Sequence, residues 1–188
     1  MGLLASSVLT LVRHAPVVGD GCMYGRRDLA ANCTDVAAFA QVTAMLPTPA
    51  RLIASPAIRC IQTAKMLWPN QMPTPASALW EQNFGDWEGL PYAQLPDLGD
   101  VSATDLAAYR GHGGESFDDV VARVSAGLRD IAREGSATCV VHAGTIRAAI
   151  AMAVGAPGAL AFSVDNLSAT QITILPDGVA INYVNRSA

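Results

Sequence analysis

Apolar positions along this chain gather into a few short runs, separated by alanine-rich stretches of helical period. Leu9-Thr10-Leu11-Val12 is apolar or β-branched throughout and reads as a buried strand. Residues 51–54 and 138–141 repeat that pattern in short form. Between them, residues 34–46 read as a helix with Thr34 or Asp35 near its cap, ended by Pro47 and Pro49. Ser55-Pro56 predicts a second helix, with Ser55 as cap and Pro56 at the first helical position. Its apolar face is expected from Ile58, Ile61, Ala64 and Leu67, and Pro69 stops it. The clearest helix is 116–134, where Phe117, Val120, Val121, Val124, Leu128 and Ile131 recur at helical spacing. Ser116 with Asp119 resembles a capping box, and Gly135 suits the end. A further helix is predicted over roughly 145–154. Residues 170–175 and 179–184 flank Pro176-Asp177-Gly178 as a terminal antiparallel hairpin. Short strands alternating with helices predict an α/β fold with a mostly parallel sheet.

The remaining segments lack a period. Residues 17–28, containing Tyr24-Gly25-Arg26-Arg27-Asp28, read as a loop that returns over the end of the first strand. Residues 71–78 read as irregular, and 79–89 as a strand end running into a shaped loop of large aromatics, acids and glycines. Residues 90–114, rich in Pro, Gly and Asp, read as a surface excursion able to form a lid, with a short helix near 104–109.

Composition adds limits. A chain of 188 residues suits one domain, and 15% charged residues against 51% hydrophobic ones argue for a packed core and against disorder. The net charge of −4 gives no reason to expect nucleic acid or an anionic membrane as partner, so an anionic ligand needs a local positive site. Cys22, Cys33, Cys60 and Cys139 form no CxxC pair or metal-finger spacing; Cys60 and Cys139 are expected as buried thiols, and a reducing, cytoplasmic setting fits. No apolar run reaches membrane-spanning length. The first residues lack a signal-peptide pattern and match an acylation pattern only by chance.

The chemistry sits where predicted strands end. Arg13-His14 follows the first strand, Ser55 to Arg59 the second, and His142-Ala143-Gly144 the third. In a mostly parallel sheet these carboxyl ends share one edge, where open α/β sheets bind ligands. Two arginines, two histidines and a helix start would converge there, and their mutual repulsion calls for an anion. A phosphoryl group is the natural guest, with Glu81 available as an acid. A metal is the weaker reading, because the histidines form no close-spaced pair and the arginines repel a cation.

At these residues the sequence resembles the histidine phosphatase superfamily, which includes the cofactor-dependent phosphoglycerate mutases. The resemblance rests on Leu11-Val12-Arg13-His14-Ala15, Ser55-Pro56 with Arg59 and Gln62-Thr63-Ala64, Glu81 with Phe84-Gly85 and Trp87-Glu88-Gly89, Gly114-Glu115-Ser116, and Val141-His142-Ala143-Gly144. Tyr24-Gly25-Arg26 with Asp28 and the short length resemble the α-ribazole phosphatase branch, which acts in cobalamin assembly. Ala15-Pro16 stands where the family usually has Gly-Glu, and His112 has no family role. The resemblance implies a three-layer, phosphoglycerate mutase-like sandwich, helices on both faces of the sheet. It implies His14 as the nucleophile that forms a phosphohistidine, and Arg13, Arg59, His142 and the Ala143 backbone as phosphate ligands. Glu81 would protonate the leaving oxygen and then activate water; His142 counts with His14 and Glu81 in the catalytic set. No metal and no cofactor are implied.

Competing expectations are a phosphoglycerate mutase-like phosphotransferase and a catalytically idle phospho-ligand-binding module. The single lysine, Lys65, and the single cation of the 90–114 excursion, Arg110, leave a mutase short of positive charge. Retention of both His14 and Glu81 argues against mere binding. Tyr24, Arg26 and Trp87 are candidate substrate contacts, with Trp80, Tyr92 and Phe117 as further aromatics near the mouth. The expected partner is a small phosphate ester, the expected assembly a monomer or homodimer.

Overall fold

The first strand becomes the middle of the molecule because it is apolar on both sides. In the computed structural model, which describes residues 6–19 and 21–187, strand β1 (Ser7–Arg13) pairs in parallel with β4 (Ala137–Val141) and antiparallel with β5 (Ala169–Leu175). Beyond β4 lies β2 (Leu52–Ala54), and beyond that the two-residue β3 (Thr74–Pro75), both parallel. Strand β6 (Gly178–Arg186) closes the other edge antiparallel to β5, giving the order β3-β2-β4-β1-β5-β6. The mostly parallel sheet and its terminal hairpin are as expected. Strand β3 lies in the stretch read as irregular, and two exposed residues carry no period to find. The predicted acylation-like pattern and the absence of a leader concern residues 1–5, outside the described residues.

Side chains alternate across the pleat and feed two cores. Val12, Leu52, Ala54 and Val140 pack on one face against helices α1 (Val36–Met45) and α2 (Ile58–Leu67), through Phe39, Val42, Cys60, Ala64 and Leu67. On the other face Leu9, Leu11, Cys139, Val141 and Ile172 pack against α4 (Phe117–Arg133) and α5 (Ala143–Val154). The short helices α3 (Ala103–Ala108) and α6 (Ala156–Ala159) join this second cluster through Ala107, Ala156 and Ala159. Helix α4 starts with the predicted Ser116–Asp119 capping box, and Gly135 follows it at φ 108°, where a side chain would be strained. Cys60 and Cys139 are fully buried.

Helix α2 departs from its prediction. It begins at Ile58 and Ser55 makes no cap to it; Asp28 caps from the distant loop, its Oδ1 accepting the Ile58 N–H at 2.7 Å. The buried face is Arg59, Cys60, Thr63, Ala64 and Leu67, while Ile58 is 41% exposed. An apolar stripe was the wrong guide here because the face that meets the sheet also carries the site, so polar Arg59 and Thr63 take the inward positions. Among the described residues no helix is long and apolar enough to cross a membrane.

Candidate active site

The carboxyl ends of β1, β2 and β4 do share one edge, and a cavity of about 510 Å³ opens there. Its lining includes Arg13, His14, Arg59, Glu81, Ala143 and Gly144.

His14 is fixed from every side. Its N–H donates to Val141 O at 2.9 Å, which ties it to β4, and its carbonyl accepts from Asn166 Nδ2 at 2.8 Å. The next N–H, that of Ala15, donates to Thr63 Oγ1 at 2.9 Å, and Thr63 donates in turn to Arg59 O at 2.7 Å. The imidazole Nδ1 lies 2.7 Å from Ala15 O. A carbonyl can only accept, so Nδ1 carries the proton and Nε2 keeps its lone pair. Burial, reinforced by the Arg59 and Arg13 charges, pushes the imidazole pKa down to about 3 against the opposing pull of the Ala15 bond. At neutral pH the ring is therefore neutral, with the proton on Nδ1 and the Nε2 lone pair held in a fixed direction.

Arg59 is 2% exposed and supports the surroundings while keeping donors free. Nε donates to His142 Nδ1 at 3.2 Å, Nη1 to Arg27 O at 2.9 Å and Nη2 to Gly25 O at 2.7 Å. These use three of five donors and no carboxylate, so the buried charge lacks a counter-ion among them. Arg13 Nη1 donates to Val164 O at 2.6 Å, its Nε is buried without a partner, and burial lowers its pKa. Arg147, from α5, adds a third guanidinium to the lining, its Nε held by Phe162 O at 2.9 Å. Desolvated cations without counter-ions are stabilised by an anion brought between them.

His142 differs from its expected role. It is fully buried, it does not line the cavity, and both ring nitrogens are taken. Nδ1 accepts from Arg59, so Nε2 carries the proton and donates to Ser55 Oγ at 2.7 Å. Its ring meets His14 edge-on at 5.2 Å and stacks parallel to Trp80 at 6.4 Å. Burial, then the neighbouring His14, Arg59 and Arg13, hold its pKa well below the usual value. As placed, His142 lies behind His14 and Arg59 with both ring nitrogens engaged, so direct contact with a phosphoryl group requires the exchange of one of these partners. Ser55, predicted as a helix cap, is instead its hydrogen-bond partner.

Glu81 is the one carboxylate on the cavity wall among the described residues. Oε1 accepts from Gln82 N at 3.0 Å and Oε2 from Gly144 N at 3.3 Å, at the start of α5. The neighbouring acids are committed elsewhere: Asp86 pairs with exposed His112 at 2.9 Å, and Glu88 accepts from Arg26 N and Phe84 N at 2.8 and 3.0 Å.

The expected substrate contacts divide. Tyr24 lines the cavity, as do Tyr92, Phe84 and Phe117. Arg26 does not; its guanidinium donates to Glu115 and to Glu81 O. Trp87 does not either, because its ring stacks on Tyr109 at 5.5 Å, and Trp80 is taken by His142. Of the 90–114 excursion only Tyr92 reaches the cavity. Thr63, Arg147 and Asn166 were absent from the expected site. Thr63 lay within the quoted Gln62-Thr63-Ala64 motif, and Arg147 one turn beyond Ala143, so position could have found both. Asn166 sits in a loop with no local signal. Among the described residues no group of three or more His, Cys, Asp or Glu could hold a metal ion.

Comparison with known proteins identifies the family and the fold. A family model described as histidine phosphatase superfamily (branch 1) matches residues 9–187. A bifunctional 6-phosphofructo-2-kinase/fructose-2,6-bisphosphatase of Caenorhabditis elegans is 33% identical over 105 residues, covering 54% of this chain; the match spans 23% of that much longer protein. The fold resembles a mycobacterial glucosyl-3-phosphoglycerate phosphatase, with TM-score 0.80 and 20% identity over 97% of this chain and 100% of that one. It resembles the α-ribazole phosphatase of Shigella flexneri equally, with TM-score 0.80 and 23% identity over 95% and 96% of the two chains.

Proposed function

The chain belongs to the histidine phosphatase superfamily, branch 1, and on that footing we propose that it is a metal-independent phosphomonoesterase working through a phosphohistidine on His14. The observation that carries the reading is the tautomer of His14: neutral, with its proton on Nδ1, beside buried Arg59, whose three bonded donors go to no carboxylate, and half-buried Arg13, whose Nε has no partner.

In the first step Nε2 of His14 attacks phosphorus and the bond to the leaving oxygen breaks. Glu81 delivers a proton to that oxygen, so an alcohol departs. Arg13 and the free donors of Arg59 take the phosphoryl oxygens and offset the charge that spreads over them in transfer. In the second step Glu81, now a carboxylate, takes a proton from water as the water attacks phosphorus. The N–P bond breaks, inorganic phosphate leaves, and neutral His14 returns. The guanidiniums around the phosphoryl site disfavour a metal cation and supply its role.

The substrate reading rests on the mouth. Met23, Tyr24, Phe84, Tyr92, Phe117 and Leu160 make it largely apolar and aromatic. Flat rings fit such a wall, and base–aromatic stacking contributes about 1–3 kcal/mol per base. The proposed substrate is therefore a monophosphate ester of a ribonucleoside-like molecule, α-ribazole 5′-phosphate the first candidate. The Shigella flexneri neighbour supports that choice only through its fold.

Rapid acid and base quenching of the wild type with substrate tests the chemistry. An acid-labile, base-stable phosphoryl group on the protein is expected, and none on His14→Ala, which is also expected to be inactive. An active His14→Ala protein would overturn the mechanism. For the substrate, kcat/KM is compared across α-ribazole 5′-phosphate, 3-phosphoglycerate and a simple sugar phosphate; preference for either of the last two removes the nucleoside-like reading.

A further inference from the structure

Glu115 lies outside the cavity lining, four-fifths buried, and accepts four hydrogen bonds that all serve the rim of the site. Oε1 accepts from Arg123 Nε at 2.9 Å and from Arg26 Nη2 at 3.1 Å. Oε2 accepts from Arg123 Nη2 at 3.0 Å and from Asn83 N at 2.9 Å. Its backbone adds two more links, Glu115 N to Asn83 O at 2.7 Å and Gln82 Nε2 to Glu115 O at 2.9 Å.

Arg123, so oriented, turns its remaining donors onto the main chain that carries Glu81. Nη1 donates to Ala78 O at 2.8 Å and Trp80 O at 3.0 Å, and Nη2 reaches Glu81 O at 3.5 Å. Arg26 Nε reaches the same Glu81 carbonyl at 3.4 Å from the loop that brings Tyr24 to the cavity. Segment 78–83 has no helix or strand hydrogen bonds of its own beyond one short turn, so its carbonyls are held from outside: Ala78 O and Glu81 O by these guanidiniums, Leu79 O by Thr145 Oγ1 at 3.2 Å, Trp80 O by both, and Asn83 O by the Glu115 N–H. A largely buried ion pair is a poor source of stability, because desolvation offsets the attraction. What this pair does supply is a fixed geometry, since a planar fork of donors determines direction as well as distance.

We propose that Glu115 and Arg123 are positioning residues for Glu81: they hold the backbone of segment 78–83 so that the Glu81 carboxylate stands over the leaving oxygen, and through Arg26 they fix the Tyr24 wall to the same frame. The inference rests on the reading of Glu81 as the acid. Arg110, whose ion pair is with Asp119, serves as the control cation.

The test compares an alkyl phosphate, which needs its leaving oxygen protonated, with p-nitrophenyl phosphate, which needs little help. Misplacing a catalytic group by about 1 Å costs on the order of 10²-fold. Glu115→Gln and Arg123→Lys are each expected to lower kcat/KM, which reports transfer to His14 and not the later hydrolysis, by about 10- to 100-fold for the alkyl ester and by no more than about threefold for the aryl ester. In a Glu81→Gln background neither is expected to lower alkyl turnover further, and Arg110→Gln is expected to leave both rates unchanged. Equal losses on both esters, or no loss, would overturn the proposal; so would further loss of alkyl turnover in the Glu81→Gln background. Arg123→Lys keeps the charge, so it answers if Glu115→Gln does not fold. Wild-type and Glu81→Gln profiles are measured first. If Glu81→Gln shows no leaving-group dependence, the acid assignment fails and takes this inference with it; if only the Glu115 and Arg123 variants fail, the inference falls alone.

Discussion

Gly144 N–H donates to Oε2 of Glu81 at 3.3 Å, and a Cβ added at Gly144 would overlap the Oε1 of that same carboxylate. The glycine after Ala143 thus helps to place the Glu81 carboxylate, the proposed acid, through the space its missing side chain leaves. Gly144→Ala is expected to keep the fold, since the clash falls on the end of a flexible side chain, and to push Glu81 aside. General-acid catalysis contributes about 10²- to 10⁴-fold, so a loss of at least about tenfold is expected on alkyl phosphates, with little on p-nitrophenyl phosphate. Steady-state kinetics on both esters, with thermal melting as the fold control, check it.

Two neutral buried histidines make stability depend on pH. Both folded pKa values lie below the ordinary 6.5, that of His14 at about 3. Between those values the unfolded chain binds protons that the folded imidazoles refuse. The contribution is therefore present above pH 6.5 and is lost as pH falls towards 3. For His14 the expected loss between pH 7 and 5 is about 2 kcal/mol, and His142 adds a loss of the same sign. Glu115 and Asp119, held below their ordinary 4.5 and 3.8, add their own loss only at lower pH. Urea unfolding at pH 7 and pH 5 is expected to give a smaller difference for His14→Asn than for wild type. Equal differences would mean that His14 charges in the folded protein.

Thr63 connects the strand end that carries His14 to the helix that carries Arg59. Replacing it with valine keeps the shape and leaves the buried Ala15 N–H unpaired. The expected cost is about 1–3 kcal/mol in urea unfolding, with a drop in kcat at unchanged substrate order, aryl and alkyl alike. That pattern separates a fault at His14 from one at Glu81.

The aromatics of the acid segment and the mouth are expected to behave differently. Tyr92 lines the cavity, whereas Trp87 is stacked on Tyr109 away from it. Tyr92→Ala is expected to raise KM about tenfold for a nucleoside-like monophosphate, the equivalent of about 1.4 kcal/mol of lost stacking, and to leave KM for a small sugar phosphate unchanged. Trp87→Ala is expected to lower the melting temperature and leave both KM values alone. Equal KM changes from the two variants would reassign the mouth.

Sequence alone determined the strand ends and what they carry. Leu9 to Val12 are apolar on both pleat faces, so β1 had to be interior, and Arg13 and His14 had to fall at its carboxyl end. The same logic places Arg59 after β2 and His142 after β4, and period and capping residues make α4 legible from Ser116 to Gly135. Contacts between segments were not legible, because no local pattern records them. Ser55 has the chemistry of a cap, and only the approach of β4 to β2 turns it towards His142, while Asp28 caps α2 from 30 residues away. Which of five aromatics face the cavity, which of three acids reaches it, and whether Arg26 meets substrate or Glu115 depend on loops that have no period and are held by side chains from α4 and α2. Helices are set by hydrogen bonds between near neighbours, and helices and strands alike show in the period with which side chains sort across a face; the loops over the site are set by long-range polar contacts without a period, which exist only once the sheet has brought its edges together.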